Sequence, residues 1–365
     1  MAEVTNYIDR LVAELCPDGV DFYTIDELIT LDFGTRITKS KDAGTIYPVY
    51  GGGGASFRTD NYNREDKYVV SRFAMSEKCV RYVSGKFWML DSGFTYSVKD
   101  ESLLSYKYIS YWLLNAQQEI YACASQSAQR NLKTAEFKRF EVPVPPLEIQ
   151  EAIVEILDKF TNLEAELEAE LEARTLQYEY YRDSLFEALD CPRVPLDSFA
   201  KIKNGKTYKD FGAGNIPVYG SGGIMTYVDR SSYDKPTVLI PRKGSLGNLF
   251  YLEEPFWNVD TIFYTEIDEE QVIPKFLYYF LKTAHLEDLN TAGGVPSLTQ
   301  KVLNKVLIPV PSLAEQQRIV DILDRFDTLT SSLSEGLPAE LAARRSQYEY
   351  YRDQLLSFPR KGENQ

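Results

Sequence analysis

Histidine is almost missing from this chain of 365 residues: His285 is the only one. One histidine cannot furnish both a Ser/His/Asp relay and a histidine metal site. It sits in LKTAHLEDL, where a solvated helix end is the plain role. Cysteine is scarce as well. Cys16, Cys79, Cys123 and Cys191 lie 63, 44 and 68 residues apart, and no CxxC pair exists. That spacing argues against structural zinc and dithiol chemistry and fits a cytoplasmic location. No apolar run reaches the length of about 18 residues that a membrane span requires. The opening MAEVTNYIDRLVAELC is acidic and polar, unlike a secretory signal. Positive charge is in deficit too: 40 Lys and Arg face 54 Asp and Glu, net −14. Phosphate binding favours lysine and arginine, so the total speaks against nucleic acid.

Catalytic motifs are absent or incomplete. Asn204–Thr207 reads NGKT, but Ala200 stands where a phosphate loop needs its first glycine. The runs PVYGGGG and PVYGSGG lack the GxGxxG spacing and suit loops in which backbone approaches a ligand. Glu136 and Lys138 form an E-x-K pair with no acidic partner close before it. Pro145–Pro146 follows Val144, which cannot hydrogen-bond an exocyclic amine as an amino-methyltransferase motif must. The chain reads as non-catalytic.

What is present is a repeat. Hydrophobic residues make up 44% and charged residues 26%, an ordinary globular composition. The length suggests two or three domains. VPVPPLEIQEAIVEILDKFTNL (Val142–Leu163) returns as IPVPSLAEQQRIVDILDRFDTL (Ile308–Leu329). QYEYYRD occurs at Gln177–Asp183 and at Gln347–Asp353. Upstream, YPVYGGGG (Tyr47–Gly54) answers IPVYGSGG (Ile216–Gly223), and Phe87, Trp88 and Asp91 answer Phe256, Trp257 and Asp260. KYISYWLL (Lys107–Leu114) answers KFLYYFLK (Lys275–Lys282). The order is globular, helical, globular, helical. Ten of the fourteen excess negative charges fall in residues 143–190, which carry 3 basic and 13 acidic groups. Residues 1–142 are net −2 and residues 191–308 net 0, so each globular part can carry a local basic face. The four aromatic residues Phe87, Trp88, Phe256 and Trp257 read as core.

The helical segments show three- and four-residue apolar steps. Leu147 to Leu189 reads as one helix of 43 residues, roughly 64 Å long at about 1.5 Å per residue. Its middle is LEAE, LEAE, LEAR (Leu163–Arg174). The second copy has leucines at 329, 333, 337 and 341, four quartets against three. Adding a whole quartet nearly preserves the facing of a helix, because four residues advance about 400°. Ser312 and Glu315 make a capping-box pattern. Gly336 and Pro338 should kink or break the second copy. A helix this long needs a partner along its length, and the other copy is the obvious one.

The doubled order, the PxPPLxxQxxI and PxPSLAEQQRI helix starts, the quartets and the doubled QYEYYRD resemble specificity subunits of type I restriction–modification enzymes. The resemblance covers essentially the whole chain. It implies an α+β fold: two similar α/β target-recognition domains and two long helices that pair as an antiparallel coiled coil with internal pseudo-twofold symmetry. By position, recognition domains fall at 1–142 and 191–308, and spacer helices at 143–190 and 309–365. The resemblance implies that each domain reads one half of a bipartite double-stranded DNA target. It implies two docked methyltransferase subunits, joined by restriction subunits. S-adenosylmethionine, ATP and magnesium would then serve those partners, with no cofactor or metal on this chain.

The candidate DNA-binding residues are Arg36, Lys39, Lys41, Tyr50, Arg58, Arg72, Gln129 and Arg130 in the first domain. In the second they are Lys203, Lys206, Tyr219, Ser221, Arg242, Lys243 and Ser245. Base edges are read by polar groups on loops, and lysines mostly hold phosphate. Spacer and partner-facing residues are Ile153, Leu157, Phe160, Leu163, Leu167, Leu171, Tyr178 and Tyr181. Their second-copy counterparts are Ile319, Leu323, Phe326, Leu329, Leu333, Tyr348 and Tyr351. Two other readings compete. A stand-alone nuclease or methyltransferase conflicts with the missing motifs. A coiled-coil adaptor bridging two identical proteins would want two equal globular surfaces, whereas here the helices match closely and the globular parts diverge.

Overall fold

The computed structural model describes residues 2–125, 129–290, 296–331 and 336–362. It contains two compact units, residues 1–166 with 342–365, and residues 167–341. Each unit joins one globular part to helix segments from both copies of the repeat.

Unit 1 begins with α1 (Ala2–Leu15), β1 (Asp21–Thr24), α2 (Ile25–Leu28), β2 (Ile29–Phe33) and α3 (Lys39–Asp42). Strands β3 (Tyr47–Gly51), β4 (Gly54–Thr59), β5 (Arg64–Ser71), β6 (Val80–Met89) and β7 (Gly93–Val98) follow. Then come α4 (Tyr106–Asn115), α5 (Gln117–Ala122), α6 (Thr134–Phe137) and β8 (Glu141–Val144). The sheet order is β2-β7-β5-β6-β3-β4, and β1 pairs antiparallel with β8. The core lies under this sheet, with Phe94, Tyr96, Tyr108 and Phe137 fully buried, and Phe87 is buried in a separate small cluster with Val69, Val83 and Met89. Each such side chain contributes about 2–3 kcal/mol. The chain's tail closes the unit. Val20 donates its N–H to Pro359 O (3.0 Å), Lys361 returns one to Val20 O (3.0 Å), and Arg360 pairs with Glu141.

Unit 2 repeats the order of the strands with one change. Its strands are β9 (Arg193–Pro195), β10 (Ala200–Asn204), β11 (Ile216–Gly220), β12 (Gly223–Val228), β13 (Thr237–Pro241), β14 (Phe250–Leu252), β15 (Trp257–Asn258), β16 (Ile262–Ile267) and β17 (Leu307–Pro309). The orders are β10-β16-β13-β14 and β12-β11-β15. The long β6 of unit 1 is here divided into β14 and β15 by Glu253-Glu254-Pro255, since proline donates nothing to a ladder. Helices α8 (Pro274–Thr283) and α9 (Gln300–Leu303) occupy the places of α4 and α6.

The long helix α7 spans Leu147–Glu187, 41 residues, within two residues of the sequence expectation. The second copy is two helices, α10 (Leu313–Ser331) and α11 (Gly336–Leu355). Gly336 has φ +76°, and a Cβ there would lie 2.5 Å from Thr328 O, so only glycine fits the break. Pro338 follows in the first turn of α11, where its missing N–H costs nothing. Leu333 lies outside the described residues. Among the described residues no helix is long and apolar enough to cross a membrane.

Helix contacts repeat reciprocally. In unit 1, Phe160 packs on Tyr351 (5.8 Å) and Tyr348 (6.1 Å), and Arg345 bonds Glu164 (2.6 Å). As α7 advances the partner's numbers fall, so the two segments run antiparallel. In unit 2, Phe326 packs on Tyr181 (5.8 Å) and Tyr178 (6.4 Å), the same trio with the copies exchanged. Ile153, Leu157, Ile319 and Leu323 are fully buried where the helices meet the globular parts. Leu163, Leu167 and Leu171 are half-buried, and Leu329 is more open.

The helices are clamped to the globular parts by matching atoms. Buried Gln150 accepts from Ser105 N (2.8 Å) and donates to Leu103 O (2.9 Å) and Pro145 O (2.7 Å). Buried Gln316 accepts from Ile273 N (2.8 Å) and donates to Gln271 O (2.9 Å) and Pro311 O (3.0 Å). Asp158 takes Tyr111 (2.6 Å) and Lys107 (2.5 Å); Asp324 takes Tyr279 (2.5 Å) and Lys275 (2.8 Å). Burial first, then the carboxylate neighbour, pushes both phenols well above their ordinary value.

Candidate nucleic-acid interface

Three loops meet at one edge of each globular part. The first follows β2 or β10. Gly34 and Gly205 pass so close to the opposing backbone that a Cβ would lie 2.2 Å from Leu90 O or 2.0 Å from Val259 O. One residue on, an indole holds the loop: Trp88 Nε1 donates to Thr35 O (2.8 Å) and Trp257 Nε1 to Lys206 O (3.0 Å). These tryptophans are half-buried anchors rather than core, which corrects the sequence expectation; Phe87 and Phe256 are fully buried as expected. Arg36, Lys39, Lys41 and Lys206 stand exposed on these loops. The loop ends are laced to the neighbouring hairpin strand. Gly44 donates to Arg58 O (2.7 Å), Arg58 Nη1 returns a bond to Ile46 O (2.7 Å), and Asp229 donates to Gly212 O (3.2 Å).

The second element is the glycine turn between β3 and β4, or β11 and β12. Its N–H is held alike in both units, by Ser92 Oγ on Gly52 (3.2 Å) and Thr261 Oγ1 on Ser221 (3.3 Å). Its carbonyls are held differently. In unit 1, Arg81 donates to Gly51 O (2.5 Å) and Ser71 Oγ to Gly52 O (2.7 Å). Burial lowers the Arg81 pKa, and its Nε is buried with no hydrogen-bond partner. In unit 2, Asn248 Nδ2 donates to Ser221 O (3.2 Å). Tyr50 and Tyr219 pack inward at this turn, on Phe87 (5.6 Å) and on Phe250 (5.5 Å) respectively. Burial, then Tyr227, pushes the Tyr219 phenol up.

The third is the arginine loop after β5 or β13. Arg72 N donates to Ser92 O (2.8 Å) and Arg242 N to Thr261 O (2.9 Å). Leu132 N donates to Arg72 O and Leu298 N to Arg242 O, both 2.8 Å. Two residues beyond each arginine the backbone turns left-handed, at Ala74 (φ 50°) and Gly244 (φ 83°). Arg72 lies over Phe33 (5.0 Å) and Phe73 (4.6 Å), and Arg242 over Phe263 (5.8 Å). So two arginines occupy one backbone frame, each beside a pinned turn and a basic loop.

A model of the type I restriction modification DNA specificity domain matches residues 17–173 and again 190–343. The chain belongs to that family. It is 29% identical to a putative type I restriction enzyme specificity subunit of Haemophilus influenzae, covering 93% of this chain and 96% of the other. It is 34% identical to the type I restriction enzyme EcoR124I/EcoR124II specificity subunit of Escherichia coli, over 72% and 73%. A crystal structure of the S subunit of a type I restriction-modification system from M. genitalium superposes with TM-score 0.62 at 23% identity, over 93% and 96%. A chain from a study of assembly and conformational transition of a type I system gives 0.61 at 14%, over 93% and 97%. Both solved chains show the same fold.

Within this specificity fold, most of the expected DNA-binding residues gather on the three loops. Lys243 and Ser245 are exposed beside Arg242, and Gln129 is exposed beside Arg130. Arg130 covers Tyr121 (4.4 Å), and its carbonyl accepts from Met75 N (3.0 Å). Lys203 does not join them; it lies within β10 and pairs with Glu266 (3.2 Å). The pinning groups Ser92, Thr261, Arg81 and Asn248 were not legible as site residues. Ser92 and Thr261 had one signal, since each follows the aspartate aligned in the repeat. Elsewhere, Lys138 pairs with the sequence-distant Asp26 (2.7 Å), while Glu136 bonds Lys133 (3.0 Å). Among the described residues no group of three or more His, Cys, Asp or Glu could hold a metal.

Proposed function

We propose that this chain is the DNA-reading, non-catalytic member of a type I restriction–modification complex. Each globular part, about 1–142 and 191–308, reads one half of a split duplex target. The helices, about 143–190 and 309–365, set the gap and carry two methyltransferase subunits, to which restriction subunits add. S-adenosylmethionine, ATP and magnesium serve those partners, and the complex works in the cytoplasm. The observation carrying this reading is the repeated frame: one backbone scaffold presents Arg72 and Arg242 alike, while the side chains around it differ. That is what two readers of different half-sites need. An adaptor would keep the two surfaces equal. Tyr180 and Tyr350 support two equivalent docking positions, being matched in the repeat and 69% and 59% exposed.

Modified-base sequencing of DNA from cells with and without this gene, the methyltransferase present in both, tests the reading. A split methylated motif should vanish with the gene. An unchanged methylome under an active partner would favour the adaptor. The gap has its own test. One added LEAE quartet is about 6 Å of helix, so the motif's gap should grow by about one or two base pairs with both halves unchanged. A constant gap would refute the ruler.

A further inference from the structure

Strand β12 carries an apolar stretch that the fold does not ask for. Ile224, Met225 and Tyr227 are 51%, 58% and 53% exposed. Isolated exposed apolar residues are ordinary, but the register shift opposite Val218 and Tyr219 leaves Met225 as an extra residue and puts Ile224 and Tyr227 on one face of the strand, so the three form a patch. Its counterpart β4 has the same pattern of exposure, strand for strand, yet presents Ala55, Ser56 and Arg58 at those places. The shared backbone therefore tolerates small or charged residues there. Moreover, β12 is the edge of its sheet, where exposed apolar residues invite aggregation unless something covers them.

The surroundings say what covers them. At the turn end, β12 meets the pinned Ser221, the Thr261 hydroxyl that holds it, and the Arg242–Lys243 loop bonded to Thr261 O. At the other end, Asp229 is bonded to the loop from Gly205 to Gly214, which carries Lys206 and Lys209. Arg230 stands there too, its side chain 68% exposed beside Asp229 (4.0 Å) and over the Phe211 ring (5.2 Å). Cations thus bracket an apolar middle. Six residues of strand span about 20 Å, and a two-stranded ribbon fits the major groove, about 12 Å wide between its phosphate walls. A protein partner would need acidic side chains at both ends of an apolar ridge, whereas a duplex carries phosphates along both walls of its groove. A duplex answers both, because thymine is the base that places a methyl group on the groove floor.

We infer that β12 reads thymine methyl groups, so that Ile224, Met225 and Tyr227 are specificity-determining residues of the second domain and have no such role in the first. This rests on the DNA-reading function proposed above. The test uses the chain with its methyltransferase partner and synthetic duplexes carrying the methylated motif. Thymidine is replaced by deoxyuridine, which lacks only the methyl, in one half-site at a time. Binding is followed by fluorescence anisotropy. Deoxyuridine in one half should weaken binding about fourfold for each contacted methyl lost; in the other half it should change nothing. Ile224→Ser with Tyr227→Ser should erase the difference, and Met225→Ser alone should reduce it. Equal binding of thymine and uracil duplexes in both halves would overturn the inference, as would a uracil effect that survives the substitutions. Those outcomes leave specific binding, and the reading function, intact. Binding no tighter to the motif than to a scrambled duplex would overturn both.

Discussion

The clamps that join helix to globular part are the same in the two units, whereas the pins that hold the glycine turns are not. Gln150 and Gln316 make the same three bonds, and Asp158 and Asp324 take the same Tyr–Lys pair. At the turns only the Ser92/Thr261 bond repeats. The carbonyl side is held by Arg81 and Ser71 in one unit and by Asn248 in the other. Identical clamps hold the helix to the globular part in the same way within each unit. Divergent pins let the two loop surfaces differ in their side chains while each turn stays held.

The comparison breaks most readily at the glutamines. Gln150→Ala strands one buried N–H and two carbonyls, and Gln316→Ala strands the equivalent three. Each should cost about 3 kcal/mol. Denaturant unfolding of the full chain should show matched losses. Losses differing by more than about 1 kcal/mol, beyond the usual spread of such measurements, would show that the matching bonds are not matching clamps.

The tyrosine–aspartate pairs should act next. Tyr111 and Tyr279 are raised above the ordinary phenol value of 10.0 by burial, then by their carboxylate partners. Above pH 10 the unfolded phenols ionise while the folded ones keep their protons. The unfolded state then binds fewer protons, so stability is complete below that pH and falls as pH rises beyond it. Tyr111→Phe or Tyr279→Phe should lose about 1.5–3 kcal/mol at neutral pH, the worth of a bond to a charged group. Each should also flatten the alkaline decline. A pH titration of the unfolding midpoint reads both, and an unaltered alkaline slope would place the loss elsewhere.

The helices were legible because their information is local and periodic. The steps Ile149, Ile153, Leu157 and Phe160 mark a buried stripe, and Gly336 with Pro338 marks the interruption. The repeat itself exposed the two-part plan. The pins were not legible, because Arg81 meets a turn some 30 residues away and Asn248 meets one 27 residues away. Nothing in the spacing of an arginine and a glycine run says that they touch. Trp88 and Trp257 misled for a related reason. An indole next to a buried phenylalanine reads as core until its N–H is seen to reach a loop carbonyl. The tail was equally silent: FPRKG has no strand pattern, yet its backbone bonds Val20, because the first domain draws its last helix from the far end of the chain.

The smallest effect concerns one backbone position that the two units fill differently. Ala74 and Gly244 both stand two residues after the framed arginine, and both have positive φ. An alanine held left-handed costs about 1–2 kcal/mol, and glycine avoids it. Glycine also loses more freedom on folding, by about 0.5–1 kcal/mol. Ala74→Gly should therefore stabilise unit 1 by at most about 1.5 kcal/mol, the largest difference of those terms. Gly244→Ala should destabilise unit 2 by a similar amount. Space is not the obstacle there, since a Cβ would sit 3.4 Å from Ser221 Oγ, an ordinary contact. Unfolding midpoints moving in opposite directions would establish that one left-handed frame carries both arginines. Midpoints that fall in both variants would mean that Ala74 is held by its neighbours, so that the two arginine loops share a path but not a conformational preference.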